Sequence, residues 1–149
     1  MNFKHLILAL ILANSIDFSK AQCNDQLLTI ASEKLKGYNY VKDYKIKMKK
    51  GKKDNPPFQK TTMILNSGCR YKIFTLNAKE YDGKLIADIF SVDGAVASTY
   101  SNDSKKHYEA VEFNCKKTGV YYLTLYFEGA EEGCGICILS IESDELKYK

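Results

Sequence analysis

This 149-residue sequence predicts an all-β protein, an antiparallel jelly-roll or Greek-key β-sandwich of seven to eight strands with a short N-terminal helix. Three observations lead there. From residue 58 to residue 141, short runs rich in β-branched and aromatic residues recur at close spacing, punctuated by turn pairs such as Asp82-Gly83 and Asp93-Gly94. No helical periodicity falls between them, which excludes the strand-helix alternation of a parallel sheet. Nine glycines and two prolines leave no room for a low-complexity linker, so the chain reads as one unit able to bury a real core.

Residues 1–21 read as an export leader. Lys4 precedes the apolar run 6–13, residues 14–21 turn more polar, and Ser19-Lys20-Ala21 sets small residues at −3 and −1 of a cut before Gln22. Eight apolar residues at about 1.5 Å each cannot cross a hydrocarbon layer of about 30 Å, so no stable membrane span is expected. Cys23 lacks a lipidation signature, because Gln22 and Lys20 stand where a small residue and an aliphatic belong. Removing Lys4, Asp17 and Lys20 with the leader lowers the net charge from +4 to +3, and neither sign dominates. The expected location is exported: periplasmic, cell-surface or secreted.

Residues 22–57 supply a helix and a basic edge strand, and 58–149 the sandwich, together one domain. In 25–36, Leu27, Leu28, Ile30, Ala31 and Leu35 cluster at helical spacing; Asn24 or Asp25 caps the start and Gly37 suits the stop. Tyr44, Ile46 and Met48 then alternate with Lys45, Lys47 and Lys49, a strand with one wet, basic face, and the turn-rich 50–57 ends it. Seven lysines and one aspartate lie between Lys42 and Lys53, without arginine or interleaved aromatic platforms, so the reading is a solvated edge protected from aggregation and not a nucleic-acid site. Further strands are predicted at 61–65, 69–76, 85–92, 95–100, 108–115, 120–127 and 134–141.

The stretches Asn66-Ser67-Gly68-Cys69-Arg70-Tyr71-Lys72-Ile73, Ala87-Asp88-Ile89-Phe90-Ser91-Val92-Asp93-Gly94 and Thr118-Gly119-Val120-Tyr121-Tyr122-Leu123 occur in that order. In this the chain resembles bacterial pre-peptidase C-terminal (PPC-like) domains, small jelly-roll sandwiches of exported proteins, over roughly 58–141. It is also similar to small uncharacterised exported sandwich proteins. The resemblance implies a periplasmic or surface setting and a domain that is not itself catalytic.

Five cysteines, Cys23, Cys69, Cys115, Cys134 and Cys137, follow the cut, and an odd number leaves at least one unpaired within the chain. Cys134-Gly135-Ile136-Cys137 precedes a strand and not a helix, and residues three apart on a strand point to opposite faces, against a redox or zinc motif. The expected disulfide is Cys115 with Cys134, both on core-facing positions and closing a loop of about 20 residues, for about 3 kcal/mol on the chain-entropy model. Cys69 is the rival partner, and Cys23 the expected unpaired thiol.

No catalytic constellation emerges. His107 is the sole histidine after the leader and sits in a polar loop, where a solvated surface role is expected. Asp88, Asp93, Glu109 and Glu112 are the carboxylates from which a hydrolytic pair would have to be drawn. Asp82, Asp93 and Asp103 occupy separate turns with no Asp-x-Asp-x-Asp run; no cofactor is expected, calcium being the one ion such loops commonly take. The expected function is therefore an exported, non-catalytic module that binds a protein, glycan or envelope partner, with Lys45, Lys47, Lys49, Tyr100 and Tyr108 as candidate surface. The alternative is a small secreted hydrolase using a carboxylate pair.

Overall fold

The computed structural model describes residues 25–143. Helix α1 (Asp25–Glu33) leads into β1 (Tyr38–Met48), β2 (Phe58–Leu65), β3 (Arg70–Asn77), β4 (Leu85–Ser91) and β5 (Gly94–Ser98). The two-residue strands β6 (Tyr100–Ser101) and β7 (Lys106–His107) form a separate small hairpin. The chain closes with β8 (Ala110–Asn114), β9 (Gly119–Phe127) and β10 (Gly133–Glu142).

Sheet 1 has the order β1-β10-β3-β8 and sheet 2 the order β2-β9-β4-β5, with every pairing antiparallel. The chain alternates between sheets from β1 to β4 and again from β8 to β10. This is the jelly-roll wiring that the turn spacing predicts. Period-2 alternation fills the interior: Ile46, Tyr71, Ile73, Cys137 and Leu139 from sheet 1 meet Leu85, Ile89, Leu123, Leu125 and Phe127 from sheet 2. On the other face of sheet 1, Phe74, Cys134, Ile136 and Ile138 pack beneath Leu27 and Ala31 of α1. That second layer explains why β10 reads as a near-continuous apolar run: it is buried on both faces.

Three expectations change in detail. The helix ends at Glu33, not 36, because Lys34 and Leu35 already donate backward to Ala31 and Ser32 in tight i to i−3 bonds before Gly37 turns at φ 79°. The basic strand starts at Tyr38, six residues early, and a bulge between Tyr40 and Lys42 hides its alternation. It is the edge strand that its lysines imply. The 95–100 run divides at the buried Thr99, which exchanges bonds with Ala87 through its N–H and its hydroxyl.

The expected Cys115–Cys134 disulfide is not made. Cys115 lies opposite Cys69 at one end of β3 and in the sandwich interior; Cys134 lies beside Ala78, beyond the other end, under the helix. The nine residues from 69 to 78 measure about 30 Å at about 3.3 Å each, against the roughly 4.4–6.8 Å that a disulfide spans. Cys69, Cys115 and Cys137 are free thiols, and Cys134 is disulfide-bonded with none of them. Cys23 and the export leader lie outside the described residues.

Candidate functional site

Three connections gather at one end of the sandwich: 66–69 between β2 and β3, 92–93 between β4 and β5, and 115–118 between β8 and β9. The first and third are tied together. Gly68 N–H donates to the Cys115 carbonyl and Cys115 N–H to the Cys69 carbonyl, both at 2.9 Å, while Ser67 N–H donates to the Thr118 hydroxyl at 2.8 Å. Two residues thus oppose one, with Gly68 at φ 79°, the glycine-headed form of β-bulge. A side chain at Gly68 would meet open space, so only the backbone conformation calls for glycine there.

Two interior tyrosines pin these connections from below. The Tyr71 hydroxyl accepts from Asn66 N–H at 3.1 Å, and the Tyr121 hydroxyl donates to the Lys117 carbonyl at 2.8 Å. Burial pushes the Tyr71 hydroxyl above its ordinary value; for Tyr121 the adjacent Cys115 thiol leads, followed by burial. Both therefore stay neutral donors and acceptors. The Lys117 ammonium reaches across to Asp93 at 2.9 Å and links the second connection to the other two.

Between them opens a cleft of about 770 Å³ lined by Val92, Val96, Phe113, Lys117, Val120 and Tyr121, among others. Beside it the outer face of sheet 2 carries an apolar strip, Ile64 being 74% exposed, Val120 48% and Phe90 38%, and Val92 on the adjoining β4–β5 turn is 83% exposed. Ile64 faces Val120 in register and Phe90 faces Tyr122, so these residues share one face. Monomeric soluble proteins seldom leave such groups of large apolar side chains uncovered.

The surface residues expected from the sequence do not converge. Lys45 and Lys47 stand on the helix-bearing face of sheet 1, opposite Ile136 and Cys134, with the Lys47 ammonium 5.8 Å from the Tyr81 ring centre. Lys49 lines a groove with Pro56, Pro57 and Phe58 at the far end of the sandwich. Tyr100 belongs to the β6–β7 hairpin, and the exposed Tyr108 follows it. His107 is not the solvated histidine expected: it is half-buried, its Nε2 lies 2.8 Å from a Glu128 carboxylate oxygen, and its ring is tilted on Tyr100 at 4.8 Å. That hydrogen bond holds the Glu128 carboxyl below the usual carboxylate range.

The candidate carboxylates are likewise dispersed. Asp88, on the outer face of sheet 2, accepts from the Ser98 hydroxyl at 2.5 Å and the Tyr126 hydroxyl at 3.0 Å. Burial, then that carboxylate, raise the Tyr126 hydroxyl. Glu109 pairs with Lys34 at 3.1 Å, and Glu112 with Lys72 at 3.5 Å and Arg70 at 3.9 Å, both on the sheet 1 side. Of the four, Asp93 alone reaches the loop-end cleft. No group of three or more metal-ligand side chains comes together among the described residues.

The residues of the loop end were missed because each is ordinary alone. A signal was present: Ile64, Val120 and Phe90 are apolar on the outward phase of their strands, and all three lie toward the same end.

No protein-family model and no curated protein matches the chain. Among solved structures the chain is similar to Aeromonas hydrophila PliG, a periplasmic lysozyme inhibitor of g-type lysozyme. The likeness has a TM-score of 0.51 at 13% identity and covers 72% of this chain and 90% of that protein. It is a likeness of fold.

Proposed function

We propose that this chain is an exported, non-catalytic binding module, and that its partner is a lysozyme engaged by the loop end. The observation that carries this reading is the exposed apolar strip of Ile64, Val92, Val120 and Phe90 beside a set of braced loops. Loops on a rigid sandwich are the usual place for recognition, and bracing before contact lowers the ordering cost of association. The similar fold of a lysozyme inhibitor supports the choice of partner. So does charge: glycosidases work through paired carboxylates, and with Lys117 held by Asp93 the cleft still presents the ammonium of Lys116. The exported location and the distant likeness to PPC-like sandwiches belong to the same proposal.

Lysis of a peptidoglycan suspension by g-type lysozyme tests it. The chain is expected to slow lysis in proportion to its concentration, and Lys117→Glu with Val92→Asp to abolish the effect. Undiminished lysis by g-type and by other lysozyme classes, together with no binding by calorimetry, overturns the proposal.

A further inference from the structure

We propose that Cys69 and Cys115 form a cross-strand dithiol that closes to a disulfide when a disulfide-bearing oxidant reaches it, fastening the 66–69 connection to 115–118. The two residues sit opposite each other at the β3–β8 bulge, with Cys115 N–H donating to the Cys69 carbonyl at 2.9 Å. Cys115 takes its second backbone bond from Gly68, so one direct bond joins it to Cys69 across the bulge; residues opposed on antiparallel strands have Cα atoms about 4.5–5.5 Å apart, inside the roughly 4.4–6.8 Å range of disulfides. Both side chains turn to the same side: Cys115 belongs to the interior cluster and Cys69 packs against it. Cys69 stands two residues before Tyr71 and Cys115 two after Phe113, a register pair whose rings stack at 5.8 Å on the interior face, so both thiols lie on that same face.

Accessibility sets the order of events. Cys69 is half-buried and Cys115 buried, so the oxidant meets Cys69 first. The Cys69 thiol loses its proton to solvent, and its thiolate attacks one sulfur of a small disulfide RSSR, breaking that S–S bond and releasing one thiolate, RS⁻. Cys115 then gives up its proton, and its thiolate attacks Cys69 Sγ, forming the protein disulfide and expelling the second RS⁻. The protein loses two protons and two electrons; RSSR takes up both and leaves as two RSH. Cys137 stays outside this chemistry, since it is fully buried and burial pushes its thiol up to about 12.

Peptide mapping of the full chain decides the matter. The protein is incubated with oxidised glutathione in mildly alkaline, non-denaturing buffer, its remaining thiols are capped, and it is digested without reduction. The expected result is one linked pair joining the peptides that carry Cys69 and Cys115, with Cys137 capped only after unfolding. In the Cys115→Ser chain the reaction is expected to stop at glutathione on Cys69. Cys69 glutathionylated with Cys115 still capped in the unsubstituted chain overturns the proposal. A link from either residue to Cys134, or an unreacted Cys69, does so equally.

Discussion

Tyr121→Phe removes one oxygen and probes whether the loop end is braced as described. In the folded chain that hydroxyl donates to the Lys117 carbonyl at 2.8 Å and lies 3.4 Å from the Cys115 sulfur, on a ring that is buried. Its loss forfeits a net hydrogen bond of about 1 kcal/mol and leaves the Lys117 carbonyl with only the weaker Cys115 thiol, which reaches it at 3.2 Å. A total cost of about 1.5 kcal/mol follows. An unfolding entropy of about 2.1 cal/mol/K per residue over about 120 ordered residues converts this into a fall in Tm of about 6 °C. Urea denaturation followed by far-UV circular dichroism measures the difference, with Tyr122→Phe as control, since that ring lies on the outward face and its substitution should stay within about 0.5 kcal/mol. A cost for Tyr121→Phe below about 0.5 kcal/mol, or one equal to the control, would refute the bracing of the 115–118 connection by this hydroxyl.

Gly133→Ala is expected to destabilise by about 2 kcal/mol or more in the same assay, because a Cβ there would stand 2.3 Å from the ring of the buried Phe127, which has no free space to yield. Val92→Asp should leave stability within about 0.5 kcal/mol, as befits a side chain 83% exposed, yet weaken the proposed binding to lysozyme about tenfold or more by calorimetry. The depressed carboxyl of Glu128 stabilises the fold above the ordinary glutamate range, and that contribution disappears as pH falls through the depressed value. His107→Gln should move the Glu128 titration, followed by carboxyl NMR, upward toward the ordinary value and remove that acid-range contribution; an unmoved titration would show that the imidazole is not its cause.

The layers of the fold were legible where burial imposes a period. Leu123, Leu125 and Phe127 must alternate because only one face of β9 meets the interior, and the Asp82-Gly83 and Asp93-Gly94 pairs bracket β4. The period fails where a second constraint acts. The bulge in β1 breaks the alternation of 38–43, and β10, buried on both faces, shows no alternation that could reveal which residues face the helix. The misplaced disulfide came from the same gap. Facing direction along a strand is local and readable, whereas the distance between Cys115 and Cys134 depends on which end of β3 each one reaches, a property of register alone.

The candidate site was less legible because the loop end is assembled from three turns that are far apart in sequence. Asp93 and Lys117 are 24 residues apart, and Ser67 and Thr118 are 51 apart, yet each pair is joined by a single hydrogen bond. Nothing local in the sequence distinguishes these from other turn residues. What the sequence does record is a departure from economy: Ile64, Phe90 and Val120 occupy outward positions where a polar residue would avoid exposing apolar surface. One such residue carries no meaning, since scattered apolar side chains are normal on any surface. Three of them on neighbouring strands of one sheet, with Val92 on the adjoining turn, become a surface only once the order β2-β9-β4 is known. Sheet order is therefore the step that turns unremarkable residues into one continuous surface, the candidate site, and the braced turns beside them hold its shape.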